Sequence, residues 1–493
     1  MNREVTTILD GLRQLGVTPA GLSADSRATA PGDVFVAYPG ERADGRRFIP
    51  DAVARGASAV LWEREGFAWP GEIAVPNLPV AGVKRFAGPL AAELYGRPSE
   101  RLRAIGVTGT NGKTSCSYWI ARALDATGCR CAVVGTLGMG FAGAMTESPN
   151  TTPDAVALQR ALKGFLDAGA AGVAMEASSI GLDQGRLDGT RFHCALFTNL
   201  SRDHLDYHGD MEGYARAKMR LFQSPGLANA VLNLDDALGV RIAHTLAFGK
   251  VERTGYSLGS GAARASGLEH WLEAHEIAFA SGGLAFRLES SWGAAEVVAP
   301  LVGRFNVANL LGVIGVLLVS GLTLDEAAAA CAQFDPPPGR MQRLGGGAAP
   351  LVVVDYAHTP DALDKCLASL RDTARGGQLV CVFGCGGDRD RGKRRLMGEI
   401  ASRQADFVVL TSDNPRGEDP AAIIADIVPG VGAPHAIHVD RREAIRAAIG
   451  AARAGDVVLI AGKGHESYQE IAGRRLPFSD ADEARAALGG VRP

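Results

Sequence analysis

Residues 101–128 read RLRAIGVTGTNGKTSCSYWIARALDATG. An apolar run from Ala104 to Val107 gives way to a glycine-containing loop. Beyond it Trp119, Ile120, Ala123 and Leu124 recur at helical spacing. Strand, glycine loop and helix in this order form a phosphate cradle. In Gly109-Thr110-Asn111-Gly112-Lys113-Thr114-Ser115 the glycines let backbone N–H groups wrap phosphate oxygens, and the helix N-terminus adds its positive dipole end. Lys113 is placed to reach β- and γ-phosphates, and the Thr114 or Ser115 hydroxyl suits Mg²⁺. The generic phosphate-loop spacing asks for a further glycine where Val107 stands, so this loop is a variant of that pattern.

The same alternation extends outward. GVAMEASSIGL, CALFTNLSRDH and AVLNLDD each read as a strand ending in polar residues. Helical stretches between them predict a mostly parallel sheet with helices on both faces and ligands at the strand C-termini. From about residue 255 to 303 the pattern changes, and GLAFRLES and GAAEVVAPLVG predict antiparallel edge strands. The apolar stretch Leu310 to Leu324 is too short to span a bilayer and predicts a buried helix. Phe334-Asp335-Pro336-Pro337-Pro338-Gly339 predicts a semi-rigid linker. Beyond it LVVVDYA, QLVCVFGCGG, DFVVLTSDNP and DVVLIAGKGHE predict a second α/β unit. The predicted architecture is therefore α/β with three domains. They are a small N-terminal α/β domain (1–97), a central ATPase-like domain with a mostly parallel sheet (98–334), and a C-terminal Rossmann-like domain (335–493).

Composition agrees with a length of 493 residues, about three domains at the usual size. Hydrophobic residues make up 46% and charged residues 21%, which excludes a mainly disordered chain. A net charge of −3 argues against broad electrostatic binding to nucleic acid or anionic membrane. The eight cysteines include no CxxC pair, so a zinc ribbon is unsupported and a reducing compartment fits. The N-terminus shows no apolar signal segment. The expectation is a cytosolic, monomeric protein with small-molecule substrates.

Glu176 ends one strand, and Asp203, His204 and Asp206 follow the next. Hard oxygen ligands and an imidazole near a phosphate loop suit a Mg²⁺–nucleotide site. Lys218, in YARAKMRLF, taken alone reads as a solvent-facing helical lysine. Gly384-Cys385-Gly386-Gly387 fails as a dinucleotide fingerprint because the third glycine falls at Arg389. Asp388, Arg389, Asp390, Arg391, Lys393 and Arg394 instead make a charged loop at a strand end, the bland alternative being a solvated turn.

TGTNGKT, the Glu176 strand end, NLSRDHLDYHG (199–209), YARAKMRLF (214–222), GRFNVANLLG (303–312), PPPGRMQ (336–342) and VDYAHTPD (354–361) occur in this order. In this the chain resembles the Mur ligases, ATP-dependent enzymes of peptidoglycan synthesis. ADGRRFIPDA (43–52), NTTPD (150–154), GCGGDRDRGKRRLM (384–397), SDNPRGEDP (412–420) and GKGHE (462–466) resemble the branch that adds a diamino acid as third residue. The resemblance implies that meso-diaminopimelate is joined to the D-Glu side-chain carboxylate of UDP-N-acetylmuramoyl-L-Ala-D-Glu through an acyl phosphate. It also implies roles for single residues. Gly109 to Ser115, Asn306, Arg340, Asp355 and His358 would hold ATP. Thr114, Glu176, His204 and a carbamylated Lys218 would ligate Mg²⁺. Ala24, Ser26, Glu41, Arg42, Ala43, Asn150, Thr151, Thr152, Ser178, Gln184 and Arg186 would hold the nucleotide-sugar substrate. Arg389, Asp413, Asn414, Pro415, Arg416, Gly462 and Glu466 would bind the diamino acid. One departure stands out. The family often has His after the paired serines, and here Ser178-Ser179 is followed by Ile180, which cannot make an imidazole's hydrogen bond.

Arg416 gives a physical reason to expect diaminopimelate rather than L-lysine. A guanidinium binds a carboxylate bidentately, and facing lysine it would lack a partner. The competing readings are the lysine-adding ligase, a folylpolyglutamate synthase and a nucleotide-hydrolysing switch. A switch would consume nucleotide without an amino acid.

Overall fold

The computed structural model describes residues 3–41, 43–148, 150–280, 283–374 and 376–490. Three main sheets succeed one another along the chain. The first is parallel, in the order β1 (Gly21–Ser23), β2 (Asp33–Ala37), β3 (Ala59–Glu63) and β4 (Asn77–Val80).

The second sheet holds β5 (Arg103–Thr108), β6 (Cys131–Gly135), β7 (Gly138–Phe141), β8 (Ala144–Thr146), β9 (Gly172–Glu176), β10 (Cys194–Phe197), β11 (Asn229–Asn233), β12 (Glu252–Ser257), β13 (His270–Ala280), β14 (Gly283–Ser290) and β15 (Gly293–Ala299). Their order is β15-β14-β13-β12-β11-β10-β5-β9-β6-β7-β8. The run from β13 to β6 is parallel, and β14–β15 and β7–β8 are antiparallel additions at the two edges. The β14–β15 edge is the expected one. The β7–β8 edge has no counterpart in the sequence reading, because its strands are short and carry glycines at Gly138 and Gly140.

Period-2 alternation sends Ile105, Val107, Leu196 and Val231 to one face of this sheet. Ala104, Val173, Met175, Phe197 and Leu232 go to the other. The Lys113–Ala126 and Arg304–Val319 helices pack on the first face, and the latter is buried along nearly its whole length. This is the buried helix expected from Leu310 onward, ending at Val319. The chain places β6 and β9 on one side of β5, then returns to place β10 to β13 on the other. The phosphate loop after β5 therefore opens at the point where the strand order reverses, where an open parallel sheet leaves a crevice.

The third sheet holds β16 (Gln342–Gly345), β17 (Leu351–Asp355), β18 (Leu379–Phe383), β19 (Phe407–Thr411), β20 (Ala436–His438) and β21 (Val457–Ala461) in the order β16-β17-β21-β18-β19-β20. All are parallel except the edge strand β16. A separate hairpin, β22 (Tyr468–Ile471) and β23 (Arg474–Pro477), follows β21. The proline linker is packed: Trp119 donates its indole N–H to Asp335 O at 2.8 Å and stacks on Phe334 with ring centroids 5.7 Å apart.

Candidate functional site

Gly109 and Gly112 adopt φ of +152° and +88°. A Cβ at Gly109 would collide with Thr198 Oγ1, and one at Gly112 with Asn309 Oδ1, so both glycines are required by close neighbours. The loop is pinned from β10: Thr110 N–H donates to Asn199 O at 2.8 Å and Asn111 N–H to Asn199 Oδ1 at 3.0 Å. The Lys113–Ala126 helix starts without a side-chain cap, so its first N–H groups remain available to an anion. The Lys113 ammonium folds back onto the loop, donating to Gly109 O at 2.9 Å and Thr110 O at 2.7 Å. Burial pulls its pKa down, and the Glu176 and Asp203 carboxylates pull it back up.

Glu176 ends β9 and is 1% exposed. Its carboxylate accepts from Thr136 N–H at 2.7 Å and from the Thr136 hydroxyl at 3.1 Å. Lys218 is equally buried, contrary to the solvent-facing reading of the helix pattern. Its Nζ donates to Gly109 O at 2.7 Å and lies 4.2 Å from the Tyr214 ring. Burial, reinforced by the Lys113 charge, holds its pKa well below the usual lysine range. His204 takes the left-handed conformation, φ +52°, with Nε2 3.4 Å from Asp203 Oδ2. Burial lowers its pKa, as do the Lys113 and Lys218 charges.

These groups line one cavity of about 980 Å³, together with Asn150, Thr151, Thr152, Ser178, Gln184 and Arg186. Thr152 Oγ1 donates to Glu176 O at 2.8 Å, and Arg186 donates to Thr152 O at 2.8 Å. Ile180 lines the same wall. The imidazole that meets the paired serines comes from His208, whose Nε2 is 3.0 Å from Ser179 Oγ. From the first sheet, Glu41 reaches the cavity and accepts from the Tyr207 hydroxyl at 2.9 Å. Ala24, Ser26 and Ala43 lie off this cavity, and Arg42 lies outside the described residues.

The third sheet supplies the remaining wall. Arg340 donates to Thr114 Oγ1 at 3.2 Å, while its buried Nε has no partner among the described residues. Asp355, raised in pKa by burial, accepts from Met341 N–H at 2.7 Å. His358 is pushed down to about 4 by burial and the Lys393 charge, so it is neutral at pH 7. Asn306, in the Arg304–Val319 helix, donates to Val302 O at 2.8 Å and also borders the cavity. Sequence reasoning missed Asp361. Its Oδ2 accepts from Asn111 Nδ2 at 3.0 Å and Ser201 Oγ at 2.8 Å, tying the third sheet's first helix directly to the phosphate loop. The only signal was its place at the end of VDYAHTPD.

Arg389, Asp413, Asn414, Pro415, Arg416, Gly462 and Glu466 form a second cluster beyond this cavity, at the C-terminal ends of β18, β19 and β21. Gly462 N–H donates to Asp355 O at 3.1 Å, which joins the two groups. A Cβ at Gly462 would strike Asp413 Oδ2. Lys463, fully buried, donates to Asn414 Oδ1 at 2.9 Å and Glu466 Oε2 at 2.8 Å. Arg416 sits at φ +51° and donates to Gly387 O at 2.9 Å. Its Nε is 3.4 Å from Glu470 Oε2. This corrects the expectation that Arg416 would stand unpaired without a substrate carboxylate: the chain itself supplies one. The charged run after Gly387 is also not wholly solvated. Asp388 to Arg391 are exposed, whereas Arg394 is fully buried against Glu418 and Asp426 at 2.8 Å each.

Beneath the cluster lies a fully enclosed ion pair, Arg441–Asp480, with Nε–Oδ1 at 2.7 Å. Arg441 also donates to Ser412 O at 3.2 Å and Ala461 O at 3.0 Å, the ends of β19 and β21. Arg441→Met strands the Asp480 carboxylate without a partner. We expect it to lower stability by about 3–5 kcal/mol, read as the urea unfolding midpoint. Arg441→Met/Asp480→Leu should recover most of that loss, and equal destabilisation of both variants would show that the pair itself is not the cause.

With this geometry in place, comparison with known proteins gives a consistent result. Residues 19–95 match the Mur ligase family catalytic domain, 107–317 the Mur ligase middle domain, and 339–464 the Mur ligase glutamate ligase domain. The chain is 53% identical over 490 residues to the UDP-N-acetylmuramoyl-L-alanyl-D-glutamate–2,6-diaminopimelate ligase of Ralstonia nicotianae, covering 98% of this chain and 95% of that one. It is 52% identical over 472 residues to the Pseudomonas aeruginosa protein of the same name, covering 95% and 94%. A solved structure of a ligase of that name superposes with a TM-score of 0.67 at 40% identity, covering 96% of this chain and 95% of the other.

Proposed function

This chain belongs to the Mur ligase family, and on that premise we propose that it uses ATP to join meso-diaminopimelate to UDP-N-acetylmuramoyl-L-Ala-D-Glu. The observation that carries the reading is the single cavity in which the phosphate loop, Glu176, Lys218 and the Thr151–Thr152 wall meet Arg340, Asp355 and His358. We propose the division 1–97, 98–334 and 335–493 as substrate, ATP and diamino-acid domains, and the three successive sheets support it. No helix among the described residues is long and apolar enough to cross a membrane. A cytosolic monomer acting on small molecules is part of the same proposal.

A carboxylate is a poor electrophile. One D-Glu carboxylate oxygen attacks the γ-phosphorus of ATP, and ADP leaves, which gives an acyl phosphate. The diamino acid's neutral amine then attacks the acyl carbon, the tetrahedral adduct expels phosphate, and the amine proton is released. Lys113, the helix N-terminus and Arg340 offer donors to the transferring phosphoryl group. Neutral His358 and Asp355 border the nucleotide side of the cavity. Thr151, Thr152, Ser178, Gln184 and Arg186 face the sugar-peptide side.

The donor set fits Mg²⁺. Thr114, Glu176 and His204 line the cavity beside Lys218. Burial lowers the Lys218 pKa and so favours its neutral amine, the form that can attack CO₂, losing a proton and becoming a carbamate with two further oxygens. Among the described residues no three His, Cys, Asp or Glu side chains stand close enough to cage a cation. Mg²⁺ needs no such cage, since it completes its shell with phosphate oxygens and water. When bound, it would screen the repulsion between the ATP phosphates and the attacking carboxylate.

ADP release from purified protein tests the reading, with ATP, Mg²⁺ and UDP-N-acetylmuramoyl-L-Ala-D-Glu supplied and meso-diaminopimelate compared with L-lysine. Release with diaminopimelate alone is expected. Release with lysine alone would refute the substrate, and consumption of ATP with neither would indicate a nucleotide switch. The Asp361 bridge makes a further prediction. Asp361→Ala removes the acceptor shared by Asn111 and Ser201 and should raise the KM for ATP roughly tenfold, the worth of a charge-assisted hydrogen bond. The KM for the diamino acid should be unchanged. An unaltered KM for ATP would reduce the bridge to an incidental contact.

A further inference from the structure

The β22–β23 hairpin is stitched to the loop that carries Arg416. Arg416 N–H donates to Glu470 O at 3.0 Å, and Ala472 N–H to Arg416 O at 2.7 Å. Glu470 N–H donates to Asn414 Oδ1 at 2.9 Å, and Gln469 donates to Asp413 O at 2.6 Å. These contacts hold the hairpin's backbone against the loop, and the Glu470 carboxylate lies 3.4 Å from the Arg416 guanidinium. The neighbouring carboxylates are committed elsewhere. Glu466 Oε2 accepts from Lys463 at 2.8 Å and Asn414 at 2.7 Å, and Glu418 is paired with Arg394 and Arg391. Neither partner of the Arg416–Glu470 pair is sealed from solvent, with side chains 22% and 27% exposed, so an incoming molecule can reach both.

We infer that Glu470 is a positioning residue: its carboxylate holds the Arg416 guanidinium until the distal carboxylate of the diamino acid displaces it. The inference rests on the proposed function and adds a competitor to it. Diaminopimelate replaces one carboxylate by another at Arg416, so the pair's attraction is subtracted from its binding. L-Lysine brings no carboxylate to that end and leaves the pair closed. Glu470 therefore spares Arg416 an unpaired charge when the site is empty, at the expense of diaminopimelate affinity.

Glu470→Gln in the full-length chain keeps the side chain's size and the backbone stitching but removes the competing charge. The KM for diaminopimelate should fall about two- to fivefold, the range of a solvent-accessible ion pair. The kcat and the KM for ATP should not change, and L-lysine should still give no ADP release. Glu470→Ala should act in the same direction. In an Arg416→Ala background the effect of Glu470→Gln should vanish, because it works only through the guanidinium. A KM that rises or stays constant, or ADP release that appears with L-lysine, overturns the inference while leaving the ligase reading intact. A wild-type chain that does not turn over diaminopimelate at all overturns that reading first, and this inference with it.

Discussion

Lys113→Ala is expected to lower kcat by about a thousandfold. The ammonium is partly buried on the cavity wall, within hydrogen-bond distance of two loop carbonyls, and faces the Glu176 and Asp203 charges. Those two hydrogen bonds hold it in place before any nucleotide arrives. The Gly109 and Thr110 carbonyls it holds are neutral acceptors, weaker partners than a phosphoryl oxygen. As the γ-phosphoryl group moves toward the carboxylate, charge spreads over its equatorial oxygens, and a fixed cation gains most at that stage. Alanine removes the cation and fills none of its volume. Arginine is no substitute, since a planar fork does not fit where a single Nζ already lies within 3 Å of two loop carbonyls. Single-turnover ADP formation with saturating ATP separates the step from binding. A loss confined to the KM for ATP would assign Lys113 to ground-state binding alone.

The same loop shows what sequence can and cannot reveal. A phosphate cradle is local, so its glycines, lysine and helix start are contiguous and carry their own reasons. The strand-end carboxylates were legible as well, because each parallel strand announces its C-terminus by a switch from apolar to polar residues. Lys218 was different. Its helix has a small apolar stripe, and nothing nearby in sequence reveals that Gly109 O waits across the sheet, 109 positions away. Asp361 and Glu470 fail for the same reason. Each is an ordinary charged residue until the fold brings it to Asn111 or Arg416 from another element. Arg394 sits in a run that reads only as a charged loop, yet two acidic partners from a later loop and helix enclose it. The family resemblance implied a role for Lys218 but none for these three, although two of its motifs contain Asp361 and Arg394. At Ile180 it drew attention to a missing imidazole, while the structure brings in His208 from the short Leu205–His208 helix.

Arg416→Ala is expected to raise the KM for diaminopimelate about a hundredfold, toward the lower part of the range for truncating one member of a hydrogen-bonded charge pair because the site is partly open to water. The KM for ATP should stay the same, since Arg416 does not line the nucleotide cavity. The backbone is not a confounding factor. Residue 416 sits at φ +51°, and alanine meets the same left-handed strain as arginine, whereas glycine would relieve it. Nor is the guanidinium's berth accidental: a Cβ at Gly386 would come within 2.8 Å of its terminal nitrogen, so that glycine leaves room for it. Arg416→Lys should fall between the two, keeping the charge but losing the two-pronged grip. The decisive comparison is with L-lysine. A substrate without the distal carboxylate gains nothing from Arg416, so the alanine variant should handle it no worse than wild type does. Discrimination should then shrink by the full hundredfold. If diaminopimelate kinetics survive the substitution, its distal carboxylate is held by another cation, and exposed Arg389 on the adjoining loop becomes the group to remove next.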